Sequence, residues 1–160
     1  IADIKDNDLI RSFKINFFSH QIAASEVVKV MNNQNTGGCL LFNISKQSVN
    51  PGKNFGSYGT SKAALLALCK QYALEYGEKG IRSNGVNADR IESGLLNREM
   101  IKKRSKSRGI SANKYLSSNL LNKKVTPENV ADAFFYLAIS KKTTASIFTV
   151  DGGSIESSFR

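Results

Sequence analysis

Residues 39–44 read Cys-Leu-Leu-Phe-Asn-Ile, directly after Gly37-Gly38 and directly before the polar stretch that opens at Ser45. A short apolar run without alternation, bounded by turn residues, is how a strand covered on both faces reads, and such strands belong to parallel sheets with helices above and below. The rest of the chain is consistent with that constraint. Leu9, Phe13, Ile15, Phe17, Ile22, Val27, Val28, Val30 and Met31 give a helix over 9–31 a broad apolar surface, enough to be buried against a sheet and a partner subunit. A loop over 46–57 carries Pro51, Gly52 and Gly56. A second long helix over 57–76 is rich in Ala and Leu, both good helix formers, and stops at Gly77 or Gly80. Ile81 to Val86 reads as a second strand. Thr126-Pro127-Glu128 starts a third helix, with a hydroxyl N-cap, a proline in the first turn and an acid at the positive end of the dipole. Ile147 to Val150 is a third strand, closed by Asp151-Gly152-Gly153. This alternation predicts a single α/β domain over 1–160, with a parallel sheet of about three strands and helices on its faces. Residues 91–124 are mixed, helical in part, and placed to cover a pocket as a substrate lid.

Composition narrows the function classes. No apolar run approaches the ~20 residues that a membrane span needs. The N-terminus, Ile1 to Asp8, is acidic and polar, unlike a secretory signal. It begins without Met, which points to a processed or excised chain. Cys39 and Cys69 form no CxxC pair and sit in apolar or helical contexts, so they read as reduced core thiols of a cytoplasmic protein. The net charge of +10 is concentrated in Lys102-Lys103-Arg104-Ser105-Lys106-Ser107-Arg108, with Lys123-Lys124 and Lys141-Lys142 beyond it. Nucleic acid or an anionic surface is one reading of such a stretch. No aromatic residue lies between 77 and 114, so the stretch lacks a stacking platform, and no zinc-finger spacing occurs. A solvated helix face is the expectation, and nucleic-acid binding ranks last among the functions considered.

The residues that carry chemistry are few. Tyr58 and Lys62 stand four apart at the start of the second long helix, which puts both side chains on one face. Positive charge beside a phenol favours phenolate, and a phenol so placed can exchange a proton with a carbonyl or an alcohol. Tyr-x-x-x-Lys alone is weak, because most such pairs are surface decoration. Ser45 strengthens it: a hydroxyl just beyond a buried strand sits where open α/β sheets place ligands. Asn16 falls inside the first helix, where an amide is a poor filler; an exposed or locally bonded Asn is the plain alternative. His20, the only histidine, lies one turn further on and reads as a helix-surface or interface residue, with no second ligand to suggest a metal.

Six segments, in order, resemble the C-terminal half to two-thirds of the short-chain dehydrogenase/reductase family. They are Ile15-Asn16-Phe17, Asn43-Ile44-Ser45, Tyr58-Gly59-Thr60-Ser61-Lys62-Ala63-Ala64, Gly80 to Asn87, Thr126 to Ala131, and Val150-Asp151-Gly152-Gly153. The resemblance implies the C-terminal portion of a Rossmann-type, doubly wound parallel sheet. It implies Tyr58 as general acid/base, Ser45 as the group that polarises the substrate carbonyl, and Lys62 as support for Tyr58 and ligand of the nicotinamide ribose. Asn16 would hold the water of a proton relay. Ile91 and Ser93 would touch the nicotinamide end of an NAD or NADP cofactor, which carries the hydride. Homo-oligomers through the helices at 9–31 and 57–76 are also implied. Residues 87–96, with Asn119-Leu120-Leu121 and Lys141 to Thr144, resemble the dehydrogenase half of bifunctional class II aldolase/short-chain dehydrogenase proteins (rhamnulose-phosphate aldolase/alcohol dehydrogenase type). That implies a small aldehyde such as lactaldehyde, or a sugar-derived carbonyl, and an aldolase domain in the same parent chain.

Two departures qualify the resemblance. Asn87-Ala88-Asp89-Arg90 stands where the family has Pro-Gly after the strand. The strand, glycine-rich turn and helix that receive the cofactor diphosphate are also missing: Gly37-Gly38 precedes a strand, and Gly152-Gly153 has no long helix after it. The expectation is therefore an oxidoreductase segment whose N-terminal cofactor-binding half is absent, inactive as it stands, with the choice between NAD and NADP unreadable. The alternative is a non-catalytic oligomerisation or binding module of the same fold.

Overall fold

The computed structural model describes residues 1–154. Its centre is a parallel three-stranded sheet, β1 (Gly38–Asn43), β2 (Ile81–Ala88) and β3 (Ile147–Val150), in the order β1-β2-β3. Gly38 pairs with Ile81 and Asn43 with Val86; Gly85 pairs with Ile147 and Ala88 with Val150. Apolar residues within β1 point alternately to the two faces, so a continuous apolar run fills two cores. Leu40 and Phe42 join Ile44, Ile81, Ala24, Val28, Leu65, Cys69 and Tyr72 on one side. Leu41 packs on the other side with Val86, Val125, Val130, Ala133 and Leu137.

The first core is roofed by two long helical segments. One runs as α1 (Asp6–Phe13), a π-helical turn (Lys14–Phe18) and α2 (Ser19–Gln34); the other is α3 (Gly56–Tyr76). The helix expected over 9–31 is thus longer at both ends and interrupted by one wide turn. Only Ala24 and Val28 of α2 are fully buried, and α1 buries none. The sheet and α3 take up one side of this segment, while Ile15, Phe18, Ile22, Val27 and Val30 remain exposed with no element over them among the described residues. α3 ends at Tyr76, a 3-10 turn covers Gly77–Lys79, and Gly80 adopts φ 73°, the left-handed geometry that glycine meets without a Cβ clash. Of the two expected stops, Gly80 is the one that turns the chain into β2.

The second core is covered by α6 (Pro127–Ile139). Its start is a capping box: the Thr126 backbone N–H donates to Asn129 Oδ1 at 3.0 Å, and Pro127 needs no donor there. Its end is held by β2. Arg82 Nη1 donates to the Leu137 carbonyl at 2.7 Å and Nη2 to the Ala138 carbonyl at 2.7 Å, which places a cation on the negative end of the helix dipole. Between β2 and α6 lie α4 (Arg98–Lys106) and α5 (Ala112–Leu116), the helical part of the expected lid. Among the described residues no helix is long and apolar enough to cross a membrane. Cys39 and Cys69 are both free thiols. Burial pushes the Cys69 thiol up to about 11 and raises that of Cys39.

Candidate active site

The carboxyl ends of all three strands meet at one place. Ser45 follows β1, Asp89 to Ser93 follow β2, and Asp151 to Ser154 follow β3. Open parallel sheets leave a crevice at this edge because loops, and no further strand residues, continue there. A cleft of about 590 Å³ opens there, lined by Ser45, Tyr58, Ile91 and Ser93 among others. Four of the six sequence-predicted site residues therefore share one cavity.

Ser45 is buried and extended, and caps a 3-10 turn (Lys46–Ser48). Its Oγ accepts from the Gln47 backbone N–H at 3.3 Å, which fixes the rotamer. Tyr58 stands in the first turn of α3 and faces the same cleft. Lys62, one turn on, is 5 % exposed. Its Nζ lies 5.9 Å from the centre of the Tyr58 ring and donates to the Asn43 carbonyl at 2.8 Å. Burial pushes the Lys62 ammonium down to about 8. Among the described residues no carboxylate pairs with it. The ammonium carries three donors, and one has a protein acceptor in Asn43.

Asn16 does not line the cleft. It sits at the centre of the π turn, where the Ser19 N–H reaches back five residues to the Lys14 carbonyl. Such a wide turn leaves carbonyls short of their usual partners. The Asn16 side chain donates to the Ser12 carbonyl at 3.0 Å, and the Ser19 hydroxyl donates to the Ile15 carbonyl at 2.6 Å. Ser12 Oγ in turn donates to the Ser57 carbonyl at 3.0 Å and lies 3.2 Å from Ser61 Oγ. Asn16 is thus locally bonded, yet tied through Ser12 to the turn of α3 that carries Tyr58 and Lys62. His20 packs its ring against Phe42 at 6.4 Å. Partial burial, and then the Lys62 charge, lower its basicity. Among the described residues no cluster of His, Cys, Asp or Glu could hold a metal.

Sequence reasoning missed the group beneath the cleft. Asp89 Oδ2 accepts from Arg90 Nε at 2.9 Å, Lys46 Nζ at 3.3 Å and Ser154 Oγ at 3.1 Å. Arg90 also donates to Ser154 Oγ at 2.7 Å and to the Tyr115 carbonyl at 3.0 Å. Arg90 has φ 50°, an uncommon conformation for a side-chain-bearing residue, held here by those bonds. The pair that replaces the family's Pro-Gly therefore ties the three strand ends together. The oddity of Asp-Arg at a turn was the available signal; its partners, far apart in sequence, were not.

A family model described as enoyl-(acyl carrier protein) reductase matches residues 1–154. The chain belongs to the short-chain dehydrogenase/reductase family. It is 36% identical over 140 residues to an uncharacterized oxidoreductase, YuxG, of Bacillus subtilis, covering 82% of this chain and 20% of that protein. It is 30% identical over 162 residues to a glucose and ribitol dehydrogenase homolog of Oryza sativa, covering 97% of this chain and 52% of the relative. The fold matches that of ElxO with NADP bound at a TM-score of 0.84 and 23% identity, over 98% of this chain and 61% of the other. The chain thus spans between a fifth and three-fifths of the curated relatives it matches.

Proposed function

We propose that this chain is the catalytic half of an NAD- or NADP-dependent oxidoreductase that interconverts a small alcohol with its aldehyde or ketone. The observation that carries the reading is the Ser45–Tyr58–Lys62 arrangement: two hydroxyls on one cleft, with a buried, carboxylate-free ammonium behind the phenol. The nicotinamide end of a cofactor fits these residues, because Lys62 retains donors for a ribose hydroxyl and Ile91 and Ser93 line the same cleft. The diphosphate end does not: among the described residues no strand leads through a glycine-rich turn into a helix. That half of the site would come from residues beyond this chain, and the chain alone would then be inactive.

When bound, the cofactor supplies or accepts a hydride. In the direction of reduction, the Ser45 hydroxyl donates to the substrate oxygen and holds its carbon toward the hydride. Tyr58 delivers the proton that the developing alkoxide takes up, and in oxidation it removes it. Lys62 keeps positive charge beside the ring while this happens. Asn16, tied to Ser12 and through it to α3, serves as the outer member of the proton relay by holding water behind Lys62.

Lactaldehyde or a sugar-derived carbonyl is the substrate that the subgroup resemblance implies. The parent chain would carry a class II aldolase domain upstream, and the 20% coverage of the Bacillus relative leaves room for one. The exposed apolar stripe of Ile15, Phe18 and Ile22 fits a homo-oligomer interface. The two free thiols suit a cytoplasmic setting.

Reduced nicotinamide mononucleotide tests the reading on this chain, because it lacks the half of the cofactor that needs a glycine-rich turn. NMR titration is expected to show saturable shifts at Tyr58, Ile91 and Ser93, weakened in Lys62→Met. Millimolar ligand with no shift at these residues would overturn the proposal.

A further inference from the structure

The basic stretch at 102–108 is not the uniformly solvated face expected from its composition. α4 presents Met100 and Arg104 to the cleft, and the turn that follows it adds Arg108, each four residues after the last. Lys102, Lys103 and Lys106 are exposed and do not line it. Among the described residues the cleft is therefore lined by five cations, Lys46, Lys53, Arg90, Arg104 and Arg108, against one anion, Asp89. Asp89 is already shared between Lys46 and Arg90. Among the described residues Arg104 and Arg108 have no carboxylate partner, and two like charges one turn apart oppose each other.

Both guanidinium groups are nonetheless held in place. Arg104 lies over the Phe55 ring at 5.2 Å and Arg108 over the Tyr115 ring at 5.2 Å. Phe55 and Tyr115 are themselves cleft walls. Stacking uses the face of a guanidinium and leaves its edge donors available. Arg108 spends one donor on the Arg104 carbonyl at 3.1 Å; the Arg104 guanidinium donates to no described residue. Two pre-positioned planar cations with free edges, in the cavity that holds Ser45 and Tyr58, form a receptor for a carboxylate or phosphate.

We propose that the substrate is a small carbonyl or alcohol bearing a carboxylate or phosphate, gripped by Arg104 and Arg108 while Ser45 and Tyr58 face the reacting oxygen. This rests on the acid–base reading of the site, which identifies the reacting end. Neutral lactaldehyde would leave both arginines unused.

The test is calorimetric titration of the chain, without cofactor, with three probes: lactaldehyde, glyceraldehyde 3-phosphate and succinic semialdehyde. At least one charged probe is expected to bind about tenfold or more tighter than lactaldehyde, as hydrogen bonds to charged groups imply. Which one does so separates phosphate from carboxylate. The preference should vanish in R104Q/R108Q and survive in K103Q/K106Q, which removes the same charge from the outer face. Equal binding of all three probes, binding of none, or an equal loss in K103Q/K106Q overturns the proposal. Because no turnover is involved, the outcome is independent of Tyr58: turnover by a Tyr58→Phe variant completed with an upstream cofactor-binding half would refute the acid–base reading while leaving the anion preference intact.

Discussion

Lys62 is a buried charge that costs the fold stability. Its ammonium is buried with one carbonyl for company and pushed down to about 8 from the ordinary 10.5. Below about 8 the folded and unfolded chains both carry the proton, and the full cost of burying the charge stands. Between about 8 and 10.5 the unfolded chain holds a proton that the folded one lacks, so stability rises with pH through that window. Lys62→Met is therefore expected to raise stability at pH 7 by roughly 1 kcal/mol or more after losing the bond to Asn43, and the melting temperature with it. The gain should shrink toward pH 10.5. Thermal unfolding at both pH values checks this, and a variant less stable at pH 7 would contradict it. Ser45, Tyr58 and Lys62 were legible because their spacing is local or set by one strand end. The bonds of Asp89 to Lys46 and Ser154 were not, since no local pattern announces a partner 43 or 65 residues away.

At the scale of elements, the apolar run of β1, the Thr126-Pro127-Glu128 start of α6 and the glycine after α3 were all readable, each being a property of adjacent residues. The π turn was not. Its only trace in sequence was Asn16, an amide in a helix, and the structure shows that side chain feeding a carbonyl of the preceding turn. Arg82 was also unreadable as the clamp on α6, because its acceptors lie more than fifty positions downstream. Those two bonds are charge-assisted and seat α6 on the sheet. Arg82→Met is expected to cost about 1.5–3 kcal/mol, measured by urea unfolding. A loss below a few tenths would show that the apolar contacts of Val130, Ala133 and Leu137 hold the helix unaided.

For the molecule as a whole, three strands with helices on both faces were predictable from alternation alone, and the site at their carboxyl edge followed from the fold. What alternation could not show is the uncovered side of the first long helix. Ile15 is 57%, Phe18 49% and Ile22 63% exposed, more apolar surface along one stripe than a monomer needs to show water. Sedimentation velocity is expected to find dimers or larger species, and Ile15→Asp with Ile22→Asp to return a monomer that keeps its helical circular dichroism. A wild-type chain that sediments as a monomer at high micromolar concentration would contradict the interface.

The proposed function makes Tyr58 the group that handles the proton in hydride transfer at a nicotinamide cofactor. It is tested most directly by aldehyde-dependent oxidation of NADH or NADPH, using the chain completed with an upstream cofactor-binding half and comparing wild type with Tyr58→Phe. The expected result is a fall in kcat of about 10²- to 10⁴-fold, the range for losing a general acid, with cofactor affinity kept. Turnover unchanged by the substitution would contradict it.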